Sequence, residues 1–122
     1  MTGAVLGALG TLTTGVITND EAFYNDLLSA GKRSGEKFWQ LPAFEEYKEL
    51  LKSKVADYKN SGGRFAGTIT AGLFIGEFLY KPMPWLHLDI AGTSFVDGAK
   101  DYLTAGGTAA PLRTLYYLVR EN

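Results

Sequence analysis

The sequence predicts an α/β domain, helix-rich with few short strands, and three observations carry that expectation. Residues 85–93 (WLHLDIAGT) alternate. Leu86, Leu88 and Ile90 fall on one face of an extended segment, and Trp85, His87 and Asp89 on the other. Residues 14–18 (TGVIT) are short and rich in β-branched side chains, which reads as a buried strand. Apolar-periodic stretches around these two predict four helices able to cover a sheet. The alternating strand leaves through Ala91-Gly92-Thr93-Ser94, where little bulk guards the backbone. Open α/β sheets present a binding edge in this way at the carboxyl ends of their strands.

In chain order, residues 2–10 (TGAVLGALG) fit either a short buried helix or a strand, and periodicity does not separate the two. After the 14–18 strand, Thr18 and Glu21 stand at capping-box spacing and open a helix. Its buried stripe is Phe23, Leu27, Leu28 and Ala30, and it pauses near Gly31 or runs on to Phe38. Pro42 disfavours helical geometry at Leu41 and suits the first turn of the next helix, 43–52. There Phe44, Tyr47, Leu50 and Leu51 face inward, while Glu45, Glu46, Lys48 and Glu49 stay in water.

Residues 54–58 read as a short extended piece, and 60–64 (NSGGR) as a loop. The most apolar helix is 66–79; Glu77 is its one charge, and Gly67, Thr70, Ala71 and Gly72 admit close packing. Residues 97–100 form a polar loop and 106–110 a flexible one. Pro111 then starts a closing helix, 112–120, whose Leu115, Leu118 and Val119 pack. No linker divides residues 1–122. Two or three strands are nevertheless few for an open sheet, which usually carries about four to six. The covering helices are present while much of the sheet is absent, so exposed strand edges are expected to make the chain self-associate.

Twelve basic and 13 acidic residues give a net charge of -1, which leaves no electrostatic footprint for nucleic acid or an anionic membrane. The lack of cysteine excludes disulfides and thiolate metal sites and fits a cytoplasmic setting. Residues 1–12 are apolar but have no basic lead-in, so they make a poor signal peptide, and they are too short to span a membrane.

His87 and Asp89 share a face and would hydrogen-bond or hold a metal. The chain has a single His, and a zinc site needs further ligands at a recognisable spacing. A buried polar pair satisfied by nearby backbone is the better reading. The 60–64 loop precedes a helix and would cradle an anion, but it lacks the phosphate-loop Lys-Ser/Thr, so turn chemistry is favoured. Glu45, Glu46 and Glu49 form a solvated face. No Gly-x-Ser-x-Gly elbow occurs. Taken by themselves, these residues contain no complete catalytic set.

Four strings point further: TGAVLGALG (2–10), FWQLPAFEEY (38–47), NSGGRFAGTITAGLF (60–74) and WLHLDIAGT (85–93). In this order and spacing the chain resembles the leucyl aminopeptidases, the cytosol aminopeptidase family, over essentially all its residues. The resemblance implies that residues 1–122 are the C-terminal portion of a three-layer α/β/α catalytic domain. It implies a two-metal exopeptidase, using zinc or manganese, that removes N-terminal, often leucine-like, residues from peptides and assembles as a homohexamer. The family's metal ligands are a lysine and several acidic residues, assisted by a second lysine and an arginine. The last ligands and the arginine lie in an Asn-Thr-Asp-Ala-Glu-Gly-Arg motif shortly before a Thr-Leu-Thr-Gly-Ala segment.

Here Met1-Thr2-Gly3-Ala4 falls within that second segment, and the acidic motif occurs nowhere in the sequence. Catalytic residues and metal ligands are therefore expected upstream of residue 1, and the chain alone is expected to be inactive. What the resemblance carries over is pocket wall. The Met1 carbonyl would accept a hydrogen bond from substrate, Gly3 and Ala91 would floor the first side-chain pocket, Ser94 would line it further, and Ser61 would line the next. The alternative is a non-catalytic remnant that pairs with full-length subunits.

Overall fold

The computed structural model describes residues 3–121. In chain order the elements are α1 (Ala4–Leu9), β1 (Thr14–Thr18), α2 (Glu21–Ser34), β2 (Phe38–Gln40), a 3-10 helix (Glu45–Leu51), α3 (Gly67–Gly76), β3 (Leu86–Asp89), β4 (Phe95–Val96), β5 (Gly106–Gly107) and α4 (Leu112–Glu121). The main sheet has the order β2-β1-β3. β2 runs parallel to β1, with Thr14 opposite Phe38. β3 runs antiparallel, with Gly15 opposite Asp89 and Thr18 opposite Leu86. β1, buried along its whole length, is the centre of the sheet, and 85–93 lies at its flank.

Alternation along β1 sends successive side chains to opposite faces and so builds two cores. Val16 packs with Leu27 and Ala30 of α2, Phe38 of β2 and Leu118 of α4, and Leu86 and Leu88 join them. Ile17 packs with Ile69 and Leu73 of α3 and Leu51 of the 3-10 helix, and Trp85 joins that side. Val5 and Leu9 of α1 approach Gly15 on the same side as α3. The layers are therefore α2 and α4, then the sheet, then α1, α3 and the 3-10 helix: the α/β/α order that the resemblance implied. The β3 alternation also holds, since Leu86 and Leu88 serve one core and Trp85 the other.

Several local expectations are corrected. Residues 4–9 are helical, which resolves the open reading of that segment. The cap of α2 is Asp20, whose Oδ1 accepts from the Phe23 N–H at 2.8 Å. Thr18 does not form the capping box with Glu21. It is still paired in the sheet, and its hydroxyl donates to the Trp85 carbonyl at 2.7 Å. α2 does not pause at Gly31. A Cβ there would meet the Phe38 ring at 2.8 Å, so the glycine makes room for β2 while the helix runs on to Ser34.

Residues 38–40 form a strand where a helix was a possibility, because β1 offers them a hydrogen-bonding edge: the Leu41 N–H donates to the Val16 carbonyl at 2.9 Å. The helix placed at 43–52 is a tighter 3-10 turn over 45–51, with Phe44 63% and Leu50 40% exposed. Residues 54–58 are a run of bends with no strand partner among the described residues. α3 is shorter than 66–79 because Ala66 is left-handed at φ 53° and the helix starts after it. Residues 95–96 and 106–107 pair antiparallel, so part of the expected flexible loop is strand. On α4, Leu118 is buried as expected, but Leu115 and Val119 are 39% and 78% exposed. Thr114 takes the buried position beside Leu118 because it hydrogen-bonds to Glu36 at the end of α2.

Candidate substrate-pocket wall

A cleft of about 540 Å³ opens between the start of α1, the 60–64 loop and the first half of α3. Gly3 and Ser61 both line it, together with Arg64, Gly67, Thr70 and Ala71. The loop is pressed onto α3: a Cβ at Gly62 would lie 2.8 Å from the Thr70 side chain, so only glycine lets the backbone come this close. Gly63 turns the chain with φ +99°, and its N–H donates to the Ser61 hydroxyl at 3.2 Å. This is turn chemistry, as the loop's composition implied. Gly3 is left-handed at φ 66°, and nothing stands within 4 Å of where its Cβ would be. Its small size is thus required by backbone conformation rather than by a packed neighbour.

Ala91 and Ser94 lie in the turn that follows β3 and are half-buried; neither lines the Gly3–Ser61 cleft. The Ala91 N–H donates to Asp89 Oδ1 at 3.2 Å, and the Ser94 N–H to the Ile90 carbonyl at 2.9 Å. The turn sits against the far end of α1, where a Cβ at Gly92 would collide with the Gly10 carbonyl. Met1 lies outside the described residues.

His87 and Asp89 project to the α3 side of the sheet, opposite Ile17 and Gly15 on β1. Both are buried. Asp89 takes the local backbone donor, as expected for a structural polar pair. The buried His87 Nε2 has no hydrogen-bond partner among the described residues, so nearby backbone does not fully satisfy the pair as the sequence led one to expect. Burial pushes the His87 pKa below its ordinary value, outweighing the opposing pull of the Asp89 charge. Among the described residues no group of three or more His, Cys, Asp and Glu side chains is placed to hold a metal ion. The His, Cys, Asp and Glu side chains of the described residues therefore do not fit a pair of divalent ions. Glu45 and Glu49 are exposed and paired to Lys48 and Lys52 at 3.0 and 2.6 Å, in keeping with a solvated face.

One electrostatic cluster was missed by sequence reasoning. Lys48, placed in water from the sequence, reaches Glu77 Oε1 at 2.7 Å. The Tyr58 hydroxyl donates to Glu77 Oε2 at 2.8 Å. These two hydrogen bonds hold the Glu77 carboxyl below its usual range, and contact with Glu77 raises Lys48 and Tyr58 above theirs. The signal in the sequence was Glu77 itself, a lone charge in an otherwise apolar helix.

Residues 1–116 match the family model described as cytosol aminopeptidase family, catalytic domain. A relative from Alkaliphilus metalliredigens named Probable cytosol aminopeptidase is 56% identical over 121 residues, covering 99% of this chain and 24% of the relative. One of the same name from Clostridium perfringens is 56% identical over 122 residues, covering 100% of this chain and again 24% of the relative. Among solved structures, the bottromycin maturation enzyme BotP in complex with Mn superposes with a TM-score of 0.93 at 37% identity, covering 99% of this chain and 27% of that one. A mutant tomato leucine aminopeptidase superposes with a TM-score of 0.91 at 37% identity, covering 100% of this chain and 23% of that one. The chain thus spans about a quarter of the length of the proteins it matches. No helix among the described residues is long and apolar enough to cross a membrane.

Proposed function

The chain belongs to the cytosol aminopeptidase family, and on that footing we propose that residues 1–122 are the C-terminal part of a catalytic domain that hydrolyses N-terminal residues from peptides. In this reading Gly3, Ser61, Ala91 and Ser94 contribute substrate-pocket wall, with the Met1 carbonyl as a hydrogen-bond acceptor. The observation that carries it is the cleft shared by Gly3 and Ser61, which lie 58 residues apart by their numbers and belong to two of the family-like strings. Gly3 leaves its part of the cleft open to an incoming side chain, and the Ser61 loop walls the opposite side.

The Mn of the BotP complex supports a metal-dependent chemistry, and the family resemblance implies two zinc or manganese ions. Such ions activate water and polarise the scissile carbonyl. Among the described residues no group of three or more His, Cys, Asp and Glu side chains is placed to hold them, which supports the reading that the ligands and catalytic basic groups lie on polypeptide outside these residues. No chemical step is assigned to this chain. The relatives' names support a cytoplasmic peptide hydrolase.

The test is direct. The purified chain is expected to show no turnover of leucine amide-type substrates with manganese or zinc added. Co-expression with a polypeptide carrying the Asn-Thr-Asp-Ala-Glu-Gly-Arg segment is expected to restore it. Metal-dependent turnover by the pure chain would refute the assignment. A second reading, a non-catalytic partner of full-length subunits in a homohexamer, is favoured by the apolar outer face of α4, where Leu112 and Val119 are 63% and 78% exposed. It predicts co-purification with full-length subunits and no gain of activity.

A further inference from the structure

We propose that Glu77 is a latch that fastens the irregular 52–64 connection along α3 and thereby positions the Ser61 loop. Residues 52–64 carry no helix or strand, and Val55 within them is 96% exposed, so the chain's own regular structure does not hold them. Two points of attachment along α3 do. At one end of α3, the Gly62 backbone lies against Thr70. At the other, Tyr58 donates to Glu77, the C-cap of α3, and its ring packs edge-on against Phe74 and Phe78 at centroid distances of 6.5 and 6.0 Å. The segment from Tyr58 to Gly62 is therefore laid along α3 between two pins.

Glu77 also draws in the other flank of the connection. Its second oxygen takes Lys48 of the 3-10 helix at 2.7 Å, and Lys48 is bridged in turn to Glu45 at 3.0 Å. Beside the latch, the Lys59 N–H donates to the Leu51 carbonyl at 2.8 Å and closes the connection into a loop. One carboxylate thus joins three stretches of chain: the 3-10 helix, the connection and α3. The titratable groups acting on Glu77 directly are Lys48 and Tyr58; Glu45 acts on Lys48, Asp57 acts on Tyr58, and Tyr80 and Lys81 line the same pocket as Glu77. Gly67–Gly76 supplies none. Both partners stabilise the charged form of Glu77, so the latch is closed at neutral pH and is released by protonation at acid pH. That the latch serves the cleft rests on the proposed pocket. The experiment below reads the latch alone, so its failure leaves that pocket reading standing.

Amide hydrogen exchange of the whole chain, read residue by residue, tests this. Tyr58→Phe removes only the hydroxyl and keeps the ring contacts. Glu77→Gln keeps the shape and removes the charge. In both, the Lys59 amide is expected to exchange about three- to tenfold faster, the scale of losing one charge-assisted bond at a partly exposed site. The Thr14 amide, bonded to the Lys37 carbonyl in the sheet, is expected to stay unchanged. After correction for intrinsic exchange, Lys59 in the wild type is expected to open as pH falls through the lowered Glu77 titration, and Glu77→Gln is expected to lack that step. The proposal is overturned by an unchanged Lys59 amide in Tyr58→Phe, by equal acceleration at Lys59 and Thr14, or by an acid step that survives in Glu77→Gln.

Discussion

Glu36 receives the first turn of α4 through Thr114: its Oε2 accepts from the Thr114 N–H at 3.0 Å and from the Thr114 hydroxyl at 2.5 Å. The same hydroxyl meets Ser34 Oγ at 2.7 Å. A carboxylate at a helix N-terminus satisfies free N–H groups and complements the helix dipole. This contact joins the end of α2 to the start of α4 and sets which side of α4 faces the core. Glu36→Ala is expected to cost about 1–3 kcal/mol, because a buried hydroxyl and an N–H lose their charged acceptor. Glu36→Gln, which keeps an acceptor, is expected to cost less. Urea unfolding midpoints of the two variants check both statements.

Gly72 and Gly7 predict opposite signs for the same substitution. Gly→Ala within a helix ordinarily gains about 0.5–1 kcal/mol by lowering the entropy of the unfolded chain. At Gly7 nothing stands within 4 Å of the new Cβ, so Gly7→Ala is expected to raise stability by about that amount. At Gly72 the new Cβ would sit 2.6 Å from Ile17 Cγ1, a core side chain with no room to retreat. Overpacking costs of about 1–3 kcal/mol win there, and Gly72→Ala is expected to destabilise. A melting temperature that rises for Gly72→Ala contradicts the close approach of α3 to β1.

Stability is expected to depend on pH through His87. Its pKa in the folded chain lies below the ordinary 6.5 because burial disfavours the cation, even with Asp89 two residues away. Between 6.5 and that lower folded value, the unfolded chain binds a proton that the folded chain does not. Stability therefore falls as pH drops through this window, by up to about 1.4 kcal/mol per pH unit, and is level above it. His87→Gln removes the titration. Equal pH slopes for wild type and variant in denaturant titrations from pH 7.5 to 4.5 rule this account out.

The outer face of α4 predicts self-association. Leu112, Leu115, Tyr116 and Val119 recur at helical three- and four-residue spacing and are 63%, 39%, 57% and 78% exposed. A continuous apolar stripe on a surface helix marks a contact surface or a site of aggregation. The isolated chain is expected to elute above its monomer mass in light scattering, and Leu112→Lys with Val119→Lys to shift it toward monomer. A wild-type chain that is monomeric at all concentrations contradicts this.

The chain by itself determined what depends on local chemistry. The β-branched run 14–18, the alternation at 86–89, the periodic stripe of α2 and the Pro111 start of α4 are all visible as patterns in the residues. So is the resemblance carried by the four strings. Tertiary structure decided what needs a distant partner. Phe38–Gln40 is a strand only because β1 presents an edge to it. Lys48 turns toward the end of α3 only because Glu77 is folded within reach. Gly3 and Ser61 form one cleft only because α1 and α3 pack on the same side of the sheet. On α4 the pattern revealed which residues are apolar, while Glu36, gripping Thr114, chose which of them turn inward. Spacing along a helix identifies stripes, and the neighbour that docks first selects the stripe that is buried.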